Sequence, residues 1–440
     1  MRIRNLVIAA IVLAVLACGV WWANKHPSAS AASKTPASPK LTNIAENQIT
    51  QIDLAKQGGD TITIGREKGK WVLTAPHALP ADQDAVSNLA SSLSPVSADS
   101  IVDAAPKTVG QYGLKQPSLT VTVHEKNGKT AKILFGGDVP TGSLVYAQVS
   151  GKPDVYAVAS SERDSFDKTE NDLRDKRLLI FDSGKLTRVE LTSAKAHMEF
   201  GKNNQNDWEI LKPGPYRADN SQVEELVTDL NNAKMDLSDD FNPKKASAAF
   251  YGGKHAGTVK VTDSSGSQTL ELRKNGDNYY AKSSTVPGIY RLSGNLGSEM
   301  DKPVDYFRNK KIFGFGFNDP NKIEVRQGSN SQTYVRSGTD WKRNGKTMDA
   351  ASVQALIDDL RDLTSTKFLT KGFTSPALSV TVTSNNGKRI ETADFSKAKS
   401  GYIAKRENEP NTEYALDASS VNDILTANKA IKPAASSKKK

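Results

Sequence analysis

The 440 residues, 37% hydrophobic and 25% charged, suffice for about three domains, each with its own core. A formal net charge of +10 is mild and dispersed, and outside Lys438, Lys439 and Lys440 no stripe of Lys and Arg with interleaved aromatics occurs, which argues against nucleic acid as a partner. Cys18 is the only cysteine and falls in an apolar run, so the rest of the chain can build neither an internal disulfide nor thiol chemistry.

Arg2 and Arg4 precede an apolar run over residues 6–23, which as a helix is about 27 Å long. That nearly spans a hydrocarbon core of about 30 Å. With Trp21 and Trp22 at its far end, the pattern predicts a membrane anchor over 1–26, N-terminus cytoplasmic and all later residues outside. A cleaved export signal is a second reading. A third takes Val15-Leu16-Ala17-Cys18 as a loose lipobox with Cys18 lipidated. Residues 27–41, rich in Ala, Ser and Pro, predict a linker.

Three further tryptophans, Trp71, Trp208 and Trp341, stand 137 and 133 residues apart. A period that long is a domain, and the signals around each tryptophan recur in order. An apolar-acidic-apolar strand centre (Ile52-Asp53-Leu54, Val189-Glu190-Leu191, Ile323-Glu324-Val325) opens a meander expected to end at the Trp, its acidic residue facing solvent or pairing with a Lys. Asp82, Asp219 or Asp349 then caps a helix with apolar residues four, seven and eleven positions on, such as Val86, Leu89 and Leu93. A Val-x-Val strand (Val121, Val259 or Val380 first) leads to Asn127-Gly128, Ser265-Gly266 or Asn386-Gly387. Asn-Gly predicts a tight hairpin with both central residues at positive φ. Ala147, Ala281 or Ala404 follows, then Tyr156, Tyr290 or Tyr414 as an aromatic cross-strand partner.

The fold class is therefore α+β: three tandem copies, over 42–182, 183–317 and 318–432, each a mostly antiparallel sheet with one or two packed helices. A single N-terminal membrane helix precedes them and a basic tail over 433–440 follows. Copies one and two close on Leu173-Arg174-Asp175-Lys176-Arg177-Leu178 and Phe307-Arg308-Asn309-Lys310-Lys311-Ile312, which look like junctions to the next copy. Copy three ends instead in a helix-like stretch and has no successor to join.

Packing, capping and turn chemistry account for what recurs: Trp as core plug, Tyr as cross-strand partner, with glycan stacking as the alternative. The five histidines, His26, His77, His124, His197 and His255, are scattered. No metal site, nucleophile elbow or P-loop is expected, and Phe135-Gly136-Gly137-Asp138 lacks the following helix of a phosphate cradle. No catalytic residue and no cofactor is assigned. Arg174, Lys176, Arg308 and Lys310 are the candidates for interdomain or partner contact.

The aromatic end of the anchor, Tyr112-Gly113-Leu114-x-x-Pro117 before Leu119-x-Val121-x-Val123, Gly136-Gly137-Asp138, Val145-Tyr146 with Val155-Tyr156, and Asp172-Leu173-Arg174-Asp175-Lys176 together resemble a family. It is an uncharacterised bacterial membrane-anchored family, a domain of unknown function found beside gliding-motility-type ABC transporter components. The resemblance is clear over residues 41–181. Copy two lacks the Pro, and copy three lacks both the Tyr-Gly-Leu and the Leu-Arg-Asp-Lys pieces. It implies an inner-membrane envelope protein associated with an ABC-type export system and contributes no catalytic residue. The expectation is a non-enzymatic periplasmic accessory or scaffold with ABC transporter subunits as partners. A cell-wall glycan-binding module is the alternative, and an envelope hydrolase the remaining one.

Overall fold

A computed structural model describes residues 38–435 except 141, 239 and 317–319. The expected anchor over 6–23, Cys18, most of the linker and the last five residues of the tail lie outside the described residues. Among the described residues no helix is long and apolar enough to cross a membrane. Contacts divide the chain between Lys176 and Arg177, so copy one forms one unit and copies two and three another.

Copy one contains β1 (Ile49–Lys56), β2 (Thr61–Glu67), β3 (Lys70–Ala75), β4 (Leu79–Pro80), helix α1 (Gln83–Ser92), β5 (Ser100–Asp103), β6 (Leu119–Glu125), β7 (Thr130–Asp138), β8 (Leu144–Val149), β9 (Val155–Ala159), α2 (Ser160–Phe166) and α3 (Glu170–Leu173). Its nine strands form one antiparallel sheet in the order β4-β3-β2-β1-β6-β7-β8-β9-β5. The first half meanders outward to β4, α1 carries the chain to the opposite edge, and β6 returns to pair with β1 at the centre.

Copy two repeats this order with β10 (Arg188–Ser193), β11 (His197–Lys202), β12 (Trp208–Lys212), β13 (Tyr216–Arg217), β14 (Lys234–Met235), β15 (Lys254–Asp263), β16 (Gly266–Asn275), β17 (Asn278–Ser283) and β18 (Ile289–Ser293). Its helices are α4 (Asn220–Asn231), α5 (Pro243–Gly252), α6 (Leu296–Glu299) and α7 (Val304–Phe307). Copy three follows with β19 (Lys322–Gln327), β20 (Asn330–Ser337), β21 (Asp340–Arg343), β22 (Lys346–Thr347), β23 (Lys367–Leu369), β24 (Leu378–Ser384), β25 (Arg389–Lys397), β26 (Tyr402–Arg406) and β27 (Glu413–Leu416), plus α8 (Ala350–Asp362) and α9 (Ala418–Ala430).

The two strand signals pair with each other at the centre of every sheet. Ile52 faces Val123 and Leu54 faces Val121; Val189 faces Val261 and Leu191 faces Val259; Ile323 faces Val382 and Val325 faces Val380. One register recurs because a one-residue slip would turn every apolar side chain outward. The acidic residue between them finds Lys260 in copy two (Glu190, 3.0 Å) but His124 in copy one (Asp53, 2.9 Å) and same-strand Lys322 in copy three (Glu324, 2.9 Å). Ala147, Ala281 and Ala404 stand opposite Tyr156, Tyr290 and Tyr414, as the spacing implies.

The helix stripe is buried throughout, and the side chains of Asp82, Asp219 and Asp349 accept from backbone amides two or three residues on. Trp71, Trp208 and Trp341 are buried plugs at 3%, 3% and 5% exposure. They do not end the meander: each stands at the start of its third strand, and a short fourth strand follows. The first helical residue explains the position in two copies, since Gln83 exchanges hydrogen bonds with the Trp71 backbone and Asn220 accepts from the Trp208 amide. Gly128 alone of the Asn127-Gly128 pair has positive φ, at 80°, because the Asn127 side chain closes the turn by accepting from the Lys129 amide. In copy three Asn385, Asn386 and Gly387 all take positive φ.

A shared plug enters each copy. The amide of Leu41 donates to Val96, that of Leu178 to Ala233 and that of Ile312 to Leu363, and all three side chains are buried. At the other end, the carbonyls of Leu173, Phe307 and Lys432 accept from Asp82, Asp219 and Asp349. Copy three thus closes as the other two do, with Pro433 bridged to Met348. The local reason is that the edge next to the helix cap exposes backbone donors and acceptors whether or not another copy comes next.

Candidate functional site

The largest concentration of buried charge among the described residues lies where copies two and three meet. Arg217 ends β13. Arg308 caps the C-terminus of α7 in the closing segment of copy two. From copy three come Arg406 at the end of β26, Glu409 and Thr412 in the turn after it, Tyr414 on β27 and Glu391 on β25. The turn is held by its own backbone, Glu409 bonding Arg406 and Thr412 bonding Glu409.

Glu409 is the hub. One carboxylate oxygen accepts from Arg217 Nε at 2.9 Å, Arg406 Nη1 at 2.8 Å and the Tyr414 hydroxyl at 2.6 Å, and the other from the Arg217 amide at 3.3 Å. Arg406 spans to Glu391 (2.8 Å), whose carboxylate also accepts from the Gly314 amide at 3.0 and 3.1 Å and pairs with Arg389 (3.2 Å). Arg217 reaches the Lys311 carbonyl as well. Arg308 lies with its guanidinium carbon 4.0 Å from the Tyr216 ring centre and 3.7 Å from that of Phe368, one ring from each copy, and donates to Thr412 Oγ1 at 2.9 Å. The side chains of Arg406 and Glu391 are 4% and 3% exposed, so these charges are removed from water and stand on each other.

Burial by itself would raise the Glu409 carboxyl, but Arg217, Tyr414 and Arg406 outweigh it and hold the group below the usual carboxylate range. Burial opposes the Arg217 charge too, yet Glu409 and Tyr414 leave its pKa raised. The Tyr414 hydroxyl is pushed up, mainly by burial. A carboxyl whose folded pKa lies below its unfolded value of about 4.3 contributes fully above that value and loses the contribution as pH falls through the folded pKa. Glu409→Gln is therefore expected to lower stability at pH 7 and to flatten the loss between pH 5 and 3. Denaturant midpoints across that range test this, and equal slopes for both proteins would refute it.

Of the residues singled out in the sequence, Arg308 enters this network through its side chain. Lys310 does so only through its carbonyl, which accepts from Ser365, while its side chain is exposed. In copy one Arg174 bridges Ala81 and buries an Nε without a hydrogen-bond partner, and Lys176 is half-buried. Cys18 lies outside the described residues. Arg217, Glu391, Arg406 and Glu409 gave no signal of their own. The one available clue was comparative: the position of Arg217 is Pro80 in copy one and Thr347 in copy three, so a single copy carries a charge there. Among the described residues no group of three or more His, Cys, Asp and Glu could hold a metal ion.

In copy one a second cluster joins Tyr112-Gly113-Leu114 to Gly136-Gly137. A Cβ on Gly136 would lie 2.1 Å from the Tyr112 carbonyl, and one on Gly113, at φ 71°, would lie 2.7 Å from the Gly137 nitrogen. The Tyr112 ring meets Tyr146 edge-on at 5.0 Å and its hydroxyl donates to Asp103 at 2.9 Å. These residues are a packing device, two backbones in contact where only glycine fits. A family model described as Domain of unknown function (DUF4340) matches residues 71–210 and again 208–379. The chain belongs to that family. The DUF4340 matches begin at Trp71 and Trp208, the third strand of a sheet, so each match carries one closing segment in its interior. No curated protein matches the chain. A solved DNA polymerase sliding clamp from Pseudomonas aeruginosa, with ligand, aligns over 86% of this chain and 93% of that one at 6% identity and a TM-score of 0.17.

Proposed function

We propose that this DUF4340 chain is a non-enzymatic accessory or scaffold protein, anchored in the bacterial inner membrane through residues 6–23 with its three domains in the periplasm. Its partners are subunits of an ABC-type export or envelope system. The observation that carries the scaffold role is the buried network between copies two and three, whose carboxylates are occupied by arginines, a tyrosine and backbone amides and so serve to fix one copy on the next. The membrane and transporter parts rest on the apolar run behind Arg2 and Arg4 and on the family's place beside gliding-motility-type transporter components. The glycan-binding alternative needs the recurrent aromatics on a surface, whereas the three tryptophans, Tyr156 and Tyr414 are buried and Tyr290 alone of these is half-buried.

The full chain carrying a C-terminal tag, purified from detergent-solubilised envelopes, is expected to bring down ABC transporter subunits. Recovery from the soluble fraction, or from membranes without any transporter subunit, would overturn the proposal.

A further inference from the structure

Copies two and three both lack the Gly136-Gly137 pair of copy one, copy three having Ser396-Lys397 after Phe395, which pairs with Leu378 and Ala404. Leu272 occupies the sheet position of Phe135, since it pairs with Gly257 and Ala281 as Phe135 pairs with Leu119 and Ala147. The residues that follow are then Arg273-Lys274 where copy one has Gly136-Gly137. A close backbone approach is nevertheless kept: a Cβ on Gly253 would lie 2.9 Å from the Lys274 carbonyl, much as one on Gly113 would lie 2.7 Å from the Gly137 nitrogen. The segment entering the strand leaves from the end of the ten-residue α5, where copy one has a three-residue 3-10 turn over Gly110–Tyr112.

The end of α5 and the start of β15 border a half-open cavity of about 510 Å³, in the size range of small-molecule sites. Its wall includes Lys195, Lys254, His255, Lys274, Tyr279 and Met300. The acidic residue on the wall is Asp301, held by Lys195 at 2.7 Å. Lys254 and Lys274 have no carboxylate partner among the described residues, and Lys274 Nζ rests 5.2 Å from the centre of the Tyr279 ring. Gly252 and Gly276 also line it. Three lysines against one carboxylate on a concave wall give the site a positive balance.

We propose that this cavity binds a small oligoanion carrying phosphate or carboxylate groups, with Lys254 and Lys274 as its charge partners and Lys195 shared with Asp301. This goes beyond the scaffold role and stands or falls apart from it. Calorimetric titration of the full chain in detergent with pyrophosphate, with citrate and with neutral maltose tests it. Pyrophosphate or citrate should bind and maltose should not, and the tighter of the two anions identifies the headgroup. In K254E/K274E, which alters exposed side chains, affinity should fall at least tenfold, while K254R/K274R should retain it. Equal affinity in the Glu variant and the unaltered chain, binding of maltose comparable to the anions, or no anion binding at low salt would each overturn the proposal.

Discussion

Arg406→Ala is expected to destabilise the unit formed by copies two and three by about 3–5 kcal/mol, the cost of removing one member of a buried ion pair. Arg406 is the bridge between Glu391 and Glu409, and its loss leaves two carboxylates, 3% and 8% exposed, short of a partner that water cannot replace. For a unit of this size the midpoint should drop on the order of 10 °C. Arg406→Lys keeps the charge but cannot fork to two carboxylates, so it should fall between. Thermal unfolding gives the magnitude. Hydrogen exchange gives the place: the Gly314 amide, bonded to Glu391, should exchange faster while amides of copy one do not change. A loss under 1 kcal/mol would mean that the network contributes little to holding the copies together.

Gly136→Ala is the counterpart in copy one. The new methyl would lie 2.1 Å from the Tyr112 carbonyl and 3.2 Å from Leu114, both in a segment whose glycine, Gly113, already occupies the left-handed region. Backbone against backbone cannot be relieved by a rotamer change, so the cost should be about 3 kcal/mol, the upper end for overpacking. Gly137→Ala is the control, because its methyl would stand 3.9 Å from the same carbonyl, an ordinary contact. Equal midpoints for the two variants would refute this account of the Tyr-Gly-Leu and Gly-Gly pairing.

Much of the fold could be read from the chain because it depends on short-range chemistry repeated three times. The caps at Asp82, Asp219 and Asp349, the helix stripe and the Val-x-Val strands each act within about ten residues, and threefold repetition separated signal from accident. The pairing of β1 with β6 joins two such signals at one register. The charged junction was not legible in this way. Arg217 and Glu409 stand 192 residues apart, and nothing near either one marks its partner. Arg308 drew notice only because Arg174 holds the same place in copy one. The cavity of copy two was hidden for a different reason: Lys195, Lys254, Lys274 and Asp301 come from four separate stretches of the chain, and only the fold brings them to one wall.

The plug at Leu41 has a consequence for reach. Pro39 accepts from the Ala98 amide and Leu41 donates to Val96, so the chain is fastened to copy one 16 residues beyond Ala23, where the apolar run ends. Fully extended, that many residues cover at most about 58 Å. With the run in a bilayer as proposed, the stretch is a tether of fixed maximum length. Pro39, where copy one begins, can then stand no farther than that from the membrane surface, and this bounds how far out the near face of copy one can lie.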